Sequence, residues 1–70
     1  VMSKYEPLWR FLQSDGSELL QLSFERIEEV IGFKIGHSFL TYKKEAANYG
    51  YSVDGISMKN RTVDFRRIAA

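Results

Sequence analysis

The sequence contains no cysteine and only one histidine, His37. Disulfides are therefore excluded, and a structural zinc site is not expected because such sites take about four nitrogen or sulfur ligands. No stretch approaches the roughly 20 apolar residues that a membrane span requires. The first residues also lack the charged-then-apolar pattern of a signal peptide. We therefore expect no metal, no cofactor and no membrane association, and a cytoplasmic location.

Groups suited to catalysis are scarce. His37 is the only side chain that titrates near neutrality without perturbation. Its neighbour Ser38 would point in a different direction on a helix, so the two do not form a nucleophile–base pair. Glu25, Glu28 and Glu29 share one helical face, which is typical of a solvated surface. No glycine-rich phosphate loop of known spacing is present. We predict that the protein is not an enzyme.

Charge is nearly balanced over the whole chain but divided unevenly along it. The net charge is +1. Residues 1–33 carry three basic and six acidic side chains, whereas residues 34–70 carry seven basic and three acidic ones. The second half is therefore net positive by four charges. This asymmetry favours an anionic partner for the second half, although four charges are few for a nucleic-acid-binding protein.

With 70 residues, one small domain over residues 3–68 is expected. Its core must be thin, because short chains bury a small fraction of their surface. Five Phe, four Tyr and one Trp compensate, since aromatic side chains bury much area per residue.

The apolar pattern predicts helices and strands in a definite order. A first helix is expected over residues 6–14, with Pro7 in its first turn. A short strand over residues 19–22 follows, and Ser23 is expected to cap a second helix that ends before Gly32. A third helix is expected over residues 38–49.

The caps of the third helix and the hairpin can also be predicted. Ser38 is the expected N-cap of the third helix, and Gly50 is expected to end it. Two strands should follow, joined by a turn at residues 59–61, with a bulge at residues 54–55 and with Ile56 and Met58 on one face. Arg66 and Arg67 are expected to protect the edge of the sheet.

The resulting order is helix, strand, helix, helix, strand, strand. It is the order of a winged helix-turn-helix, in which three helices pack on a small antiparallel sheet and the first strand pairs with the C-terminal hairpin. We therefore predict an α+β, winged-helix-turn-helix-like fold.

Two stretches carry a resemblance to a known family. KYEPLWRFL contains the pattern K-Y-x-P-L, and LSFERIEEVIGF contains L-[ST]-F-x-x-I-E with a closing I-[IL]-G-F. The chain resembles a family of small bacterial proteins, a domain of unknown function, strongly over its first half and loosely at TVDFRR. Many members have basic residues and a Trp pair where this chain has FLTYK at residues 39–43. The resemblance implies a bacterial domain and no catalytic residue.

In a helix-turn-helix the third helix would enter the major groove of DNA. Its outward face, the preceding loop and the hairpin turn, which would form the wing, hold the candidate contacts to bases and phosphates. These nucleic-acid-binding candidates are Lys34, His37, Thr41, Lys43, Lys44, Asn48, Lys59 and Arg61. We therefore predict a small nucleic-acid-binding or regulatory module that uses the third helix and the hairpin turn.

The alternative is a protein–protein interaction module or a homodimer that binds no nucleic acid. Leu40 and Ala47 lie on the same outward face, and apolar residues suit a protein contact better than a DNA groove. The third helix contains no arginine, which is the commonest reader of bases, and the acidic second helix would be repelled by DNA. Trp9, Phe33 and Ile35 either extend an apolar patch or complete the core.

Overall fold

The first helix, α1, spans Glu6–Asp15 in a computed structural model that describes residues 4–68. Pro7 stands in its first turn, where a missing N–H costs nothing. Gly16 ends the helix with φ of 72°, a left-handed conformation that glycine adopts without strain. The prediction of this helix is confirmed, whereas the predicted domain start at Ser3 lies outside the described residues.

Strand β1 spans Leu19–Ser23 and runs directly into helix α2, Phe24–Ile31. Ser23 is the N-cap of α2, because its Oγ accepts a hydrogen bond from the backbone N–H of Arg26 at 3.0 Å. Gly32 ends α2 with φ of 85°. Both predicted caps are confirmed.

The third helical segment is divided, contrary to the prediction of one helix over residues 38–49. Helix α3 spans only Ser38–Tyr42, and a 3₁₀ helix continues over Lys43–Tyr49. Gly50 ends the 3₁₀ helix with φ of 86°, as predicted. A 3₁₀ helix is wound more tightly than an α-helix, so side chains three residues apart are aligned along it.

Ser38 is not the N-cap of α3, and that prediction was wrong. The N-cap is His37, which makes no side-chain capping hydrogen bond. The hydroxyl of Ser38 is instead within 2.7 Å of the Tyr5 hydroxyl. A tertiary hydrogen bond to the start of α1 has thus replaced a local cap.

Strands β2, Tyr51–Ser57, and β3, Thr62–Arg67, form the predicted hairpin. The sheet is antiparallel with the order β1-β3-β2. A bulge between Val53 and Gly55 shifts the register of β2, as predicted.

The two arginines at the end of β3 do not protect a sheet edge, because β3 is the central strand. Arg66 Nε donates to Asp54 at 2.8 Å on the solvent-facing side of the sheet. Arg67 Nη1 donates to the carbonyl of Gly16, beyond the end of α1, at 2.8 Å. The expectation of edge protection was therefore wrong.

Aromatic side chains fill the space between the helices. Tyr5 lies at the centre of this cluster, with ring-centroid distances between 5.5 and 6.3 Å to four neighbouring rings. The four neighbours are Trp9, Phe33, Phe39 and Tyr42. Trp9 is completely buried, and Phe33 and Ile35 are half-buried against the core. Trp9 therefore completes the core, whereas Phe33 and Ile35 pack against it and remain partly at the surface.

Hydrogen bonds hold the 3₁₀ helix against α1. Trp9 Nε1 donates to Glu45 at 3.4 Å. The Tyr49 hydroxyl donates to the buried carboxylate of Glu6 at 3.2 Å, and Arg10 lies 3.5 Å from the other oxygen of Glu6. Burial raises the pKa of Tyr49, and the hydrogen bond to Glu6 adds to this. The segment that carries the predicted lysines is thus fixed to the first helix.

The fold is the α+β, winged-helix-like fold that the sequence predicts. Three helical segments pack on one face of a three-stranded antiparallel sheet, and β1 pairs with the last strand of the C-terminal hairpin. This places α3 next to the hairpin, in the position where the candidate site was expected.

Candidate functional site: the groove between α3 and the hairpin

A groove of about 450 Å³ lies between α3 and the β2–β3 hairpin. We call it the α3–hairpin groove. Its apolar lining includes Phe24, Ile35, Phe39 and Ile56, which come from α2, the loop before α3, α3 itself and β2. Four separate segments of the chain therefore build the groove, and no short sequence motif could have indicated it.

Two exposed apolar side chains border the α3–hairpin groove. Leu40 belongs to α3 and is 56% exposed, whereas Met58 follows β2 and is 75% exposed. The sequence correctly predicts that Leu40 points outward. Met58 was expected on the same face as Ile56, and both line the groove, but Met58 lies in the turn and is exposed whereas Ile56 is half-buried in β2. Sequence reasoning therefore missed Met58 as a residue of the site.

Polar side chains surround the apolar lining. Lys34, His37 and Arg61 contribute basic groups, and Glu28 is the acidic residue of the lining. Glu28 Oε2 accepts a hydrogen bond from the backbone N–H of Ile35 at 3.0 Å, which fixes the loop before α3. The rim of the groove is therefore net basic, with its one carboxylate already engaged.

Arg61 is held by contacts within the domain. Its Nε donates to Glu25 at 2.9 Å, and its guanidinium group lies 5.2 Å from the centre of the Phe24 ring. The backbone of Arg61 is left-handed, with φ of 55°, and its carbonyl accepts the N–H of Phe24 at 2.8 Å. The hydrogen bond from Arg61 is the main reason that the pKa of Glu25 is lowered. Arg61 therefore fastens the hairpin turn to α2.

Lysines and arginines divide into two groups within residues 4–68. Each arginine lies within 4.0 Å of a carboxylate oxygen. Among the same residues, no lysine forms an ion pair or a side-chain hydrogen bond, and Lys4 instead lies over the rings of Tyr5 and Phe33. Four lysines of the second half of the chain thus form no ion pair within residues 4–68, and we call them the uncompensated lysines. They are Lys34, Lys43, Lys44 and Lys59.

The structure brings together only some of the predicted site residues. Lys34, His37, Leu40 and Arg61 line the α3–hairpin groove. The other candidates lie outside its lining, and all of them are exposed except Lys43, which is half-buried. They are Thr41, Lys43, Lys44, Ala47, Asn48 and Lys59. Thr41 of α3 and three polar residues of the 3₁₀ helix, Lys43, Lys44 and Asn48, thus lie outside the lining of the groove.

Within residues 4–68 there is no group of three or more His, Asp or Glu side chains that could hold a metal ion. No helix in the same part of the chain is long and apolar enough to cross a membrane. Comparison of the chain with protein-family models, with curated proteins and with solved structures gives no match.

Proposed function

We propose that this chain is a non-catalytic interaction module, and that the α3–hairpin groove binds a short segment of another protein. The carrying observation is that Leu40 and Met58 are exposed on either side of a groove with an apolar floor. Exposed apolar patches of this kind mark interaction sites on small domains. The resemblance of the first half to small bacterial proteins supports a bacterial origin.

The rim of the groove indicates the chemistry of the bound segment. Lys34 is exposed and without an ion pair, and His37 is exposed beside it, while Glu28 already accepts a backbone hydrogen bond. An apolar side chain would enter between Leu40 and Met58. An Asp or Glu next to it in the partner would then lie near Lys34, so the segment should combine apolar and acidic residues.

Apolar burial would contribute more than the charges. Fully burying a Leu or Met side chain stabilises by about 1.5–3 kcal/mol, so covering the exposed 56% of Leu40 and 75% of Met58 contributes roughly 2–4 kcal/mol. An ion pair at an exposed rim contributes only about 0.2–1 kcal/mol. Affinity should therefore depend mainly on Leu40 and Met58, and specificity on Lys34.

Selection from a random peptide library displayed on phage tests the proposal. The unmodified domain should enrich peptides that have an apolar residue next to Asp or Glu. A fluorescent copy of the best peptide should bind at least tenfold more weakly to the variants Leu40→Glu and Met58→Glu. Ile68→Glu is the matched control, because Ile68 is 49% exposed and does not line the groove. Equal affinity for all four proteins would refute the proposal.

Nucleic-acid binding is the second candidate, and the four uncompensated lysines favour it. Lys34 lies in the loop before α3, Lys43 and Lys44 in the 3₁₀ helix, and Lys59 in the hairpin turn. These are the segments that face DNA in a winged helix-turn-helix. Four phosphate contacts would give a slope of roughly −3.6 for log K against log salt.

Fluorescence anisotropy with a generic DNA duplex tests this second candidate. Binding should appear at low salt, weaken with the slope given above, and fall in the Lys43→Ala/Lys44→Ala variant. Absence of binding at low salt would eliminate it. The exposed Leu40 argues against it, because Leu40 occupies the part of α3 that would approach the bases.

A further inference from the structure

Strand β1 leaves one edge of the sheet open. Backbone hydrogen bonds of 2.8 Å join Glu18 to Arg67 of β3 and Phe24 to Arg61 of the hairpin turn. In an antiparallel ladder, residues that bond the neighbouring strand alternate with residues that face away from it. The even-numbered residues of β1 therefore bond β3, and the N–H and C=O groups of Leu19 and Gln21 point away from it. In the sheet of the described residues, β1 has no other strand beside it.

This edge lacks the features that normally prevent strand pairing. The sequence of β1, LLQLS, contains no charge and no proline, and its register with β3 is regular over five residues. The opposite edge differs, since β2 contains a bulge and the charged Asp54, and the 3₁₀ helix packs against it. Proteins commonly block edges with charges, prolines and bulges. Within one sheet, one edge is thus blocked and the other is open.

We propose that β1 pairs antiparallel with β1 of a second copy of this chain, around a two-fold axis at Leu20. Leu19 of one copy would exchange backbone hydrogen bonds with Gln21 of the second copy, and Gln21 with Leu19. The two three-stranded sheets would then form one continuous sheet. The α3–hairpin groove takes no part in this pairing, so the proposal stands or falls independently of the proposed function.

A second copy fits this edge for reasons of side-chain contact and charge. Leu20 is half-buried and packs against the core. In the proposed dimer, Leu20 would lie directly opposite Leu20 of the second copy. The two would form a non-hydrogen-bonded pair, the kind of pair in which side chains come closest. The two cores would thereby meet across the axis. An uncharged strand and a net charge of +1 give little repulsion between copies. The contact is small, so the dimer should be weak and should form at high concentration.

Sedimentation velocity over the micromolar to millimolar range tests the pairing with two variants of one residue. Gln21→Pro removes the outward N–H but no bond to β3, and proline is tolerated at such edge positions. Gln21→Ala keeps that N–H. Both variants lose the hydrogen bond from Gln21 to Asp64 of 2.8 Å. The unmodified chain and Gln21→Ala should change from 8.1 kDa to twice that mass, and Gln21→Pro should stay monomeric.

A second variant and a residue-specific measurement cover the case in which Gln21→Pro fails to fold. Leu19 is 73% exposed, so Leu19→Lys should leave the fold intact and prevent pairing by repulsion at the edge. The amide protons of Leu19 and Gln21 should exchange at least tenfold more slowly at high protein concentration. A monomer at all concentrations would overturn the proposal. So would a dimer that survives Leu19→Lys, or one that is lost only in Leu40→Glu.

Discussion

The turn of the hairpin depends on a non-glycine residue in a left-handed conformation. Arg61 has φ of 55° and is the one non-glycine residue of positive φ within residues 4–68. Substitution by alanine or by glycine removes the same side-chain contacts, those to Glu25 and Phe24. A comparison of Arg61→Ala with Arg61→Gly therefore isolates the cost of the backbone conformation. We predict that the glycine variant is the more stable of the two.

The magnitude follows from two opposing effects on the backbone. A left-handed conformation costs an L-residue roughly 1–2 kcal/mol, and glycine avoids this cost. Glycine also gains freedom in the unfolded chain, which reduces the advantage by about 0.4–1 kcal/mol. The glycine variant should therefore unfold with a free energy about 1 kcal/mol larger than the alanine variant. For a domain of this size, that difference raises Tm by roughly 4–8 °C.

Thermal and urea unfolding followed by far-ultraviolet circular dichroism measure this difference. The alanine variant should be less stable than the unmodified chain, because it keeps the cost of the left-handed backbone and loses the side-chain contacts to Glu25 and Phe24. Arg61→Asn should lie between them, because asparagine tolerates the left-handed region. Equal stability of the alanine and glycine variants would refute the argument about the backbone. An alanine variant as stable as the unmodified chain would refute the argument about the side chain.

Further predictions concern the core, a helix cap and pH. Trp9→Ala should cost about 3–5 kcal/mol, as much as a core of this size supplies, so circular dichroism should show an unfolded chain at 25 °C. Ser23→Ala should cost about 1 kcal/mol in urea unfolding, while Ser14→Ala, an exposed change in α1, should cost little. The pKa values of Glu25 and Asp54 lie below their ordinary values of 4.5 and 3.8, since Arg61 and Arg66 donate hydrogen bonds to them. A carboxylate whose pKa is lowered in the folded state stabilises the fold at pH values above its ordinary pKa, and this stabilisation is lost as the pH falls. The urea midpoint should therefore fall as the pH drops below about 4.5. Glu25→Gln and Asp54→Asn should each flatten this decline.

Local signals account for the parts of the fold that the sequence predicts. The N-cap at Ser23 needs a side-chain oxygen that accepts a backbone hydrogen bond, and the helix ends at Gly32 and Gly50 need a left-handed backbone. Only a few residue types provide either feature. The alternation of β3 places Val63 and Phe65 inward, and both are buried. In these segments local preference and tertiary packing agree, so the sequence pattern alone is enough to predict the structure.

The failures occur where a tertiary contact replaces a local one. Ser38 has the residue type of an N-cap, but its hydroxyl bonds with Tyr5, 33 residues away. The change from α to 3₁₀ helix follows Tyr42, in a segment where Glu45 bonds Trp9 and Gln13 donates to the carbonyl of Tyr49. The spacing of Phe39, Tyr42, Ala46 and Tyr49 fits 3.6 residues per turn, so the apolar pattern did not indicate the 3₁₀ helix. Such contacts between distant segments are not visible in a linear pattern.

The candidate site was predictable in part, since Lys34, His37, Leu40 and Arg61 were named from the sequence and line the groove. Leu40 was found because helical periodicity places it opposite Phe39 and Tyr42. Met58 was assigned to a strand face, because alternation from Ile56 continues formally through it, whereas the turn begins there. Arg61 was expected to meet phosphate, since charge patterns do not show that Glu25 lies 2.9 Å away.

The substitution Leu40→Lys separates the two candidate functions, because it should weaken peptide binding and strengthen DNA binding. Leu40→Glu would weaken both, since a carboxylate repels DNA and also removes an apolar side chain from the groove. Leu40→Lys removes the same apolar side chain but adds a cation beside the uncompensated lysines. Leu40 is 56% exposed, so the fold should tolerate the change.

The Leu40→Lys variant has a different expected result for each function. If the groove binds a protein segment, peptide affinity should fall at least tenfold. If the face binds DNA, affinity at low salt should rise and the salt slope should steepen by about 0.9. A Leu40→Lys variant that changes neither peptide nor DNA binding would place the function away from α3 altogether.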